Sequence, residues 1–203
     1  MVIRDRLETW DGALPLCLVT PSASPEHRRS LLRSLAARAL GLEVGGVHLE
    51  HRPDFGPRCV QPAGTALHLS SAGRGPLAAL ALAASPVGID VEKVEPDLSL
   101  PFRVLHPAEA RALLDCPDAA RAGAFARLWA CKEAYLKALG LGLSRGSETF
   151  EVRFDGAHPP RIRDEMPGLP VAEVAAGWHR HGGDTFAAAA VLLHPSIGRA
   201  TTS

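Results

Sequence analysis

Neither sign of charge predominates in this sequence: twenty-two Lys and Arg stand against twenty-two Asp and Glu, a formal net charge of zero at pH 7. That removes the usual electrostatic basis for binding nucleic acid or an anionic membrane over a broad surface, while leaving local basic patches open. Cysteine is scarce too. Cys17, Cys59, Cys116 and Cys131 lie far apart with no C-x-x-C pair, so neither a disulfide framework nor a zinc site is expected, and the thiols read as reduced. Long apolar runs are missing. The longest, Leu77 to Ala84, is strand-sized, and Met1 to Trp10 is charged throughout with no apolar core of signal-peptide length. A cytoplasmic protein is expected. What is present is 46% hydrophobic and 22% charged residues over 203 positions, enough for a self-standing core in one sizeable domain or two small ones.

Ser24-Pro25-Glu26 supplies an N-cap and a proline at the first helical position, and Leu31, Leu32, Leu35, Ala39 and Leu40 recur at helical spacing up to Gly41. Strands are expected at Val47 to His51, Ala66 to Ser70, Leu77 to Ala84 and Val87 to Val94, separated by Gly and Pro. A helical stretch follows from Pro107 to Leu139, interrupted near Pro117. Phe150 to Phe154, Val171 to Arg180 and Thr185 to Leu193 read as strands, with Asp155 to Pro170 a Pro-rich loop. Each half thus holds a helix and roughly three strands, and residues 195–203 read as a polar tail that frays.

Two short stretches carry the chemistry. In Gly88-Ile89-Asp90-Val91-Glu92, Val87, Ile89 and Val91 alternate at period two, which puts Asp90 and Glu92 side by side on the opposite face. In Trp129-Ala130-Cys131-Lys132-Glu133-Ala134-Tyr135-Leu136-Lys137, Glu133 and Lys137 stand at i,i+4 on a helix and project in nearly the same direction. Phe125, Leu128, Trp129, Leu136 and Leu139 define the buried stripe of that helix, with Glu133 on its flank. Lys132 falls within the stripe, so either its stem snorkels or its ammonium meets a buried anion such as a substrate phosphate. Three carboxylates and a lysine suit a hard divalent cation plus a phosphate-bearing ligand.

These stretches resemble the signatures of 4′-phosphopantetheinyl transferases, a G-[IV]-D-[IV]-E strand and a W-x-x-K-E-[AS]-x-x-K helix, followed by the turn Gly140-Leu141-Gly142-Leu143-Ser144. The resemblance implies transfer of the phosphopantetheine arm of coenzyme A to a serine of an apo carrier protein of acyl, peptidyl or polyketide type. It implies an α+β fold, two similar α/β halves in a pseudo-two-fold arrangement, each a small antiparallel sheet on a long helix. The length resembles the longer, surfactin-activating type, which acts as a monomer with coenzyme A between its halves. The halves are expected at 1–95, with the carboxylate strand, and 96–194, with the motif helix. Magnesium, with manganese as an alternative, is expected on Asp90, Glu92 and Glu133. Asp90, Glu133 and Lys137 are the expected catalytic residues, with Glu133 near the incoming hydroxyl and Lys137 steadying the phosphate.

Further contacts to coenzyme A are implied by weaker matches. Leu67-His68-Leu69-Ser70-Ser71 aligns with a strand-end N-[IL]-S-H-S pattern in which Ser70 matches and Ser71 stands in place of the histidine. Arg74 in the following Gly-Arg-Gly turn, Arg58 after Gly56-Pro57, Arg29 opening Arg29-Ser30-Leu31-Leu32-Arg33, and Lys132 are the candidate basic contacts. His179 and His181 read as a hairpin end beside Gly182-Gly183, with no third ligand for a metal. Two other classes compete: a magnesium nuclease, which the helical spacing of Glu133 and Lys137 and the absence of basic surplus disfavour, and a coenzyme A or carrier-protein binding module that has lost activity.

Overall fold

The computed structural model describes residues 1–5, 10–22, 24–52, 56–97, 99–141 and 144–195. Gly142 and Leu143 of the expected glycine-rich turn, and residues 196–203 of the expected tail, lie outside the described residues. In chain order the elements are β1 (Ile3–Arg4), β2 (Leu16–Pro21), α1 (Pro25–Leu40), β3 (His48–Arg52), β4 (Gly56–Gln61), β5 (His68–Arg74), β6 (Leu77–Ala83), β7 (Val87–Lys93), α2 (Pro107–Leu114), α3 (Asp118–Leu139), β8 (Glu151–Arg153), β9 (Arg161–Arg163), β10 (Val171–His181) and β11 (Asp184–His194). No helix among the described residues is long and apolar enough to cross a membrane.

The elements form four layers. One sheet, in the order β1-β2-β6-β5-β4-β3, carries α1 on its outer face; a second, β10-β11-β7, carries α3 on its outer face, and the pair β8-β9 forms a third small sheet. Strand alternation decides which layer each side chain joins. In β6, Ala78, Leu80 and Leu82 pack toward α1 with Leu32, Leu35 and Leu18, whereas Ala79, Ala81 and Ala83 face the second sheet with Ile89, Val91, Phe186 and Ala188. Both faces of β6 are therefore covered and its whole length is apolar, which is why its sequence shows no alternation. The next layer out joins Ala189, Val191 and Leu193 of β11 to Leu128, Tyr135 and Leu136 of α3.

The fold is α+β, and each half sets a helix on a mostly antiparallel sheet, the sheets lying back to back. The sheets are unequal, six strands against three, where roughly three per half were expected: β2 and β4, neither among the expected strands, join the first sheet, and β4 is the Gly56-Pro57-Arg58 segment itself. The segment from Asp155 to Pro170, read as pure loop, contains β9 paired to β8. Although β7 precedes residue 95, its ladder is with β11: Gly88, Asp90 and Glu92 stand opposite Val191, Ala189 and Ala187. The carboxylate strand thus belongs by hydrogen bonding to the sheet that carries α3.

Helix ends follow local chemistry. Ser24 Oγ accepts the His27 N–H at 3.1 Å, Pro25 opens α1, and Gly41 closes it in the left-handed conformation (φ 65°) that costs glycine nothing. The expected break near Pro117 separates α2 from α3, and Arg121 bridges it by donating to the Leu113 and Cys116 carbonyls. At the β10–β11 hairpin, Gly182 and Gly183 both have positive φ, so His179 and His181 do flank a tight turn.

Candidate active site between the carboxylate strand and the motif helix

Gly88 sets the distance between β7 and α3. A methyl group there would overlap the Ala134 carbonyl oxygen and come within 2.6 Å of the Ala138 nitrogen, so the strand lies directly against the helix backbone. With Ile89 and Val91 turned toward the first sheet, Asp90 and Glu92 are turned toward α3. There Lys137 Nζ donates to Asp90 Oδ1 at 2.7 Å and to the Ile89 carbonyl at 3.3 Å. Trp129 stacks on Phe125 at 6.1 Å between ring centres and anchors the upstream turn of the helix.

Burial raises all three carboxylates, and the Asp90 charge adds to the shift of the other two. Burial pushes the Asp90 pKa up, opposed by Lys137; burial and the Asp90 charge push Glu92 up to about 7, opposed by Arg74; burial and Asp90 push Glu133 up, again opposed by Lys137. Three acids that resist ionisation together form a site that favours added positive charge. Asp90 Oδ2 is buried with no hydrogen-bond partner, and an orphan carboxylate oxygen among further carboxylates is what a hard cation requires. The donor chemistry therefore fits a divalent ion. Among the described residues, however, no three such side chains are drawn together as a ready metal cage. Asp90 is turned to Lys137, and Glu92 pairs with Arg74 at 2.9 Å.

The other candidate residues divide. Arg58 and Lys137 line a cavity of about 690 Å³ between the β4–β5 edge and the C-terminal end of α3, with His68 beside them. Arg29 and Ser71 line a second cavity of about 310 Å³ between α1 and β3; Pro57 borders both. Arg29 itself is exposed and bonded to Glu26 at 2.8 Å. Ser70 is turned the opposite way from Ser71: it is buried, and its Oγ accepts the Ile89 N–H at 3.1 Å, so it ties β5 to β7 rather than facing a ligand. Arg74 is also on that side, bridging Glu92 and, at 3.8 Å, Glu95, so it belongs with the carboxylates rather than with a nucleotide contact.

Lys132 departs most from expectation. It is 0% exposed, and its ammonium donates to Glu109 Oε1 at 2.7 Å and to the Phe150 carbonyl at 2.9 Å, over the Phe150 ring. The buried anion is Glu109, not a substrate phosphate. Glu109 also accepts the His106 and Val152 N–H groups, so one carboxylate joins α2, α3 and β8. Its position in a short helix carries no local signal of this role; only the oddity of Lys132 in an apolar stripe points to it. A second residue without a sequence signature is Arg28, whose guanidinium lies where a Gly73 side chain would be. On α1 it is Arg28, not Arg29, that rests against the end of β5.

Residues 86–191, more than half of the chain, match the family model described as 4′-phosphopantetheinyl transferase superfamily. The 4′-phosphopantetheinyl transferase HetI of Nostoc sp. (strain PCC 7120) is 34% identical over 152 residues, covering 68% of this chain and 63% of that protein. A 4′-phosphopantetheinyl transferase of Bacillus subtilis is 31% identical over 139 residues, covering 68% and 60%. The chain thus matches less than two thirds of the length of these relatives. A solved holo-(acyl-carrier-protein) synthase of Bacillus anthracis in complex with coenzyme A (3′,5′-ADP) aligns with TM-score 0.46 and 24% identity over 55% of this chain and 97% of that one. On the matched half of its length, which holds both the carboxylate strand and the motif helix, this chain belongs to the 4′-phosphopantetheinyl transferase superfamily.

Proposed function

We propose that the protein transfers the 4′-phosphopantetheine arm of coenzyme A to a serine hydroxyl of an apo carrier protein, with release of adenosine 3′,5′-bisphosphate. The observation that carries this reading is that Asp90, its Oδ2 buried without a partner, meets Lys137 at 2.7 Å at the contact of β7 with α3, within electrostatic reach of Glu92 and Glu133. Family membership supports it. Attack on the pyrophosphate requires a proton to leave the serine and negative charge to be balanced on phosphate oxygens. A magnesium or manganese ion, which Asp90, Glu92 and Glu133 would hold, supplies charge neutralisation there.

Within this reading Glu133 takes the proton of the incoming hydroxyl. Its carboxyl is already biased toward accepting a proton by burial and by Asp90, which places it closer to neutral operation than an exposed glutamate. Lys137 stands between Asp90 and the larger cavity, where its ammonium meets a phosphate oxygen once the substrate enters. The pantetheine and nucleotide would lie in the cleft bordered by Arg58, Pro57 and Lys137. Action as a monomer belongs to this reading, the cleft being bordered by Arg58 of the first sheet and Lys137 of α3.

The test is mass spectrometry of apo acyl, peptidyl and polyketide carrier proteins incubated with the protein, coenzyme A and magnesium. Gain of one phosphopantetheine on the carrier supports the reading; coenzyme A consumption or binding with no carrier modified by any of them counts against it and leaves a binding module. The carrier modified fastest identifies the pathway class.

A further inference from the structure

Ser70, Ala72 and Arg74 stand at every second position of β5 and so share one face of the strand. That face is turned to β7: Ser70 Oγ accepts the Ile89 N–H, Ala72 packs in the same cluster as Ile89 and Val91, and Arg74, the last residue of the strand, reaches Glu92. The first sheet thus delivers a guanidinium to the carboxylate strand, whereas the ammonium of Lys137 comes from α3. Arg74 Nη2 lies 2.9 Å from Glu92 Oε2 and 3.8 Å from Glu95 Oε1. The Arg74 side chain is 46% exposed and that of Glu92 only 15%, so the acid is enclosed while the long basic arm is free to move.

The charges around Glu92 leave little room for a further cation. Asp90, Glu92 and Glu133 interact with one another, Lys137 acts on all three, and Arg74 acts on both Asp90 and Glu92. Glu95 draws on Arg74 from the half-exposed side, and Lys93, next along β7, is taken by Asp184 at 2.7 Å. A guanidinium and a divalent ion that draw on the same carboxylate repel one another, so each weakens the other's hold on Glu92. A phosphate changes that balance. Its oxygens accept from a guanidinium and also complete the coordination of a hard divalent ion, so a phosphate-bearing ligand gives Arg74 a second partner as it gives the ion new ones.

We propose that Arg74 competes with a divalent cation for Glu92 and gives way when the pyrophosphate of the substrate enters, so that cation and substrate bind as a coupled pair. Resting on the function proposed above, that substrate is coenzyme A. Lys137 cannot take this part, because its ammonium is held by Asp90 and the Ile89 carbonyl, away from Glu92.

The test is titration of the full chain with manganese at pH 8, followed by the paramagnetic resonance signal of the free ion, with and without saturating coenzyme A, for the parent, Arg74→Gln and Arg74→Lys. The parent should bind manganese about tenfold or more tighter with coenzyme A than alone. Arg74→Gln should bind manganese alone about fivefold or more tighter than the parent and gain less from coenzyme A. Arg74→Lys keeps the charge and should stay near the parent. Weaker or unchanged binding of manganese alone by Arg74→Gln would overturn the proposal, since an arginine that only anchors Glu92 would weaken the site when removed. An undiminished gain from coenzyme A in Arg74→Gln would overturn it as well. Carrier modification by the parent is scored separately: its absence, with the manganese pattern intact, would count against the transfer reading and leave the role of Arg74 standing, whereas modification with the pattern lost would overturn the role of Arg74 alone.

Discussion

Lys132 and Lys137 are five residues apart on one helix and do opposite work. Lys132 is sealed against Glu109 and Phe150, whereas Lys137 opens on a cavity beside Asp90. Removing one member of a buried ion pair strands the other, at a cost of about 3–5 kcal/mol. Lys132→Met should therefore lower stability by about 3 kcal/mol in urea unfolding, because Glu109 keeps two backbone N–H donors, and the folded fraction should bind coenzyme A like the parent. Normal stability with lost affinity would return Lys132 to the ligand. Lys137→Ala is expected to reverse the balance, with turnover down about a hundredfold or more and a smaller loss of stability than in Lys132→Met, because Lys137 is partly exposed where Lys132 is sealed. The pair Glu133–Lys137 is legible from i,i+4 spacing and Asp90–Glu92 from alternation, because both are local geometry. The partner of Lys132 is twenty-three positions away in another helix, and no periodicity announces it.

At the scale of elements, the close approach of β7 to α3 fixes where the carboxylates meet the lysine. Gly88→Ala must push the strand off the helix, since the obstacles are the backbone atoms of Ala134 and Ala138. Overpacking of this kind costs about 1–3 kcal/mol, and a shift of that interface also moves Asp90 relative to Lys137. We expect a lower melting temperature together with transfer reduced more than tenfold; near-parent turnover in Gly88→Ala would show that the spacing is not critical. Most helices and the long strands can be read from the sequence because caps, prolines and alternation mark them. β4 and β9 escape, since a Gly-Pro and a short Arg-Ile-Arg segment become strands only by pairing with β3 and β8. The allocation of β7 to the second sheet is likewise a matter of long-range pairing.

For the whole molecule, the three raised carboxylates link stability to pH and to cations. Glu92, held up to about 7 by burial and Asp90, keeps its proton longer in the folded state than in the unfolded chain. Its contribution is fully present below the ordinary glutamate range, near pH 4.5, and is lost as pH rises through about 7. In metal-free buffer, the stability of the parent relative to Glu92→Gln should therefore fall between pH 5 and pH 8, read by thermal melting. Magnesium or manganese should raise the melting temperature of the parent more at pH 8 than at pH 5, because ionised carboxylates are the ligands. A flat difference across that range, with no cation effect, would separate Glu92 from the cluster.

Glu133→Gln offers the most direct test of the central claim, that the β7–α3 contact is where phosphopantetheine is transferred. The substitution keeps the shape of the side chain and relieves its repulsion with Asp90, so the fold should melt at or above the parent temperature. Single-turnover mass spectrometry of an apo carrier with coenzyme A and magnesium is the measurement. The parent should convert the carrier to its phosphopantetheinylated form, and Glu133→Gln should convert it at least about a thousandfold more slowly while still binding coenzyme A. Conversion by Glu133→Gln at a rate near that of the parent would contradict the assignment of this site.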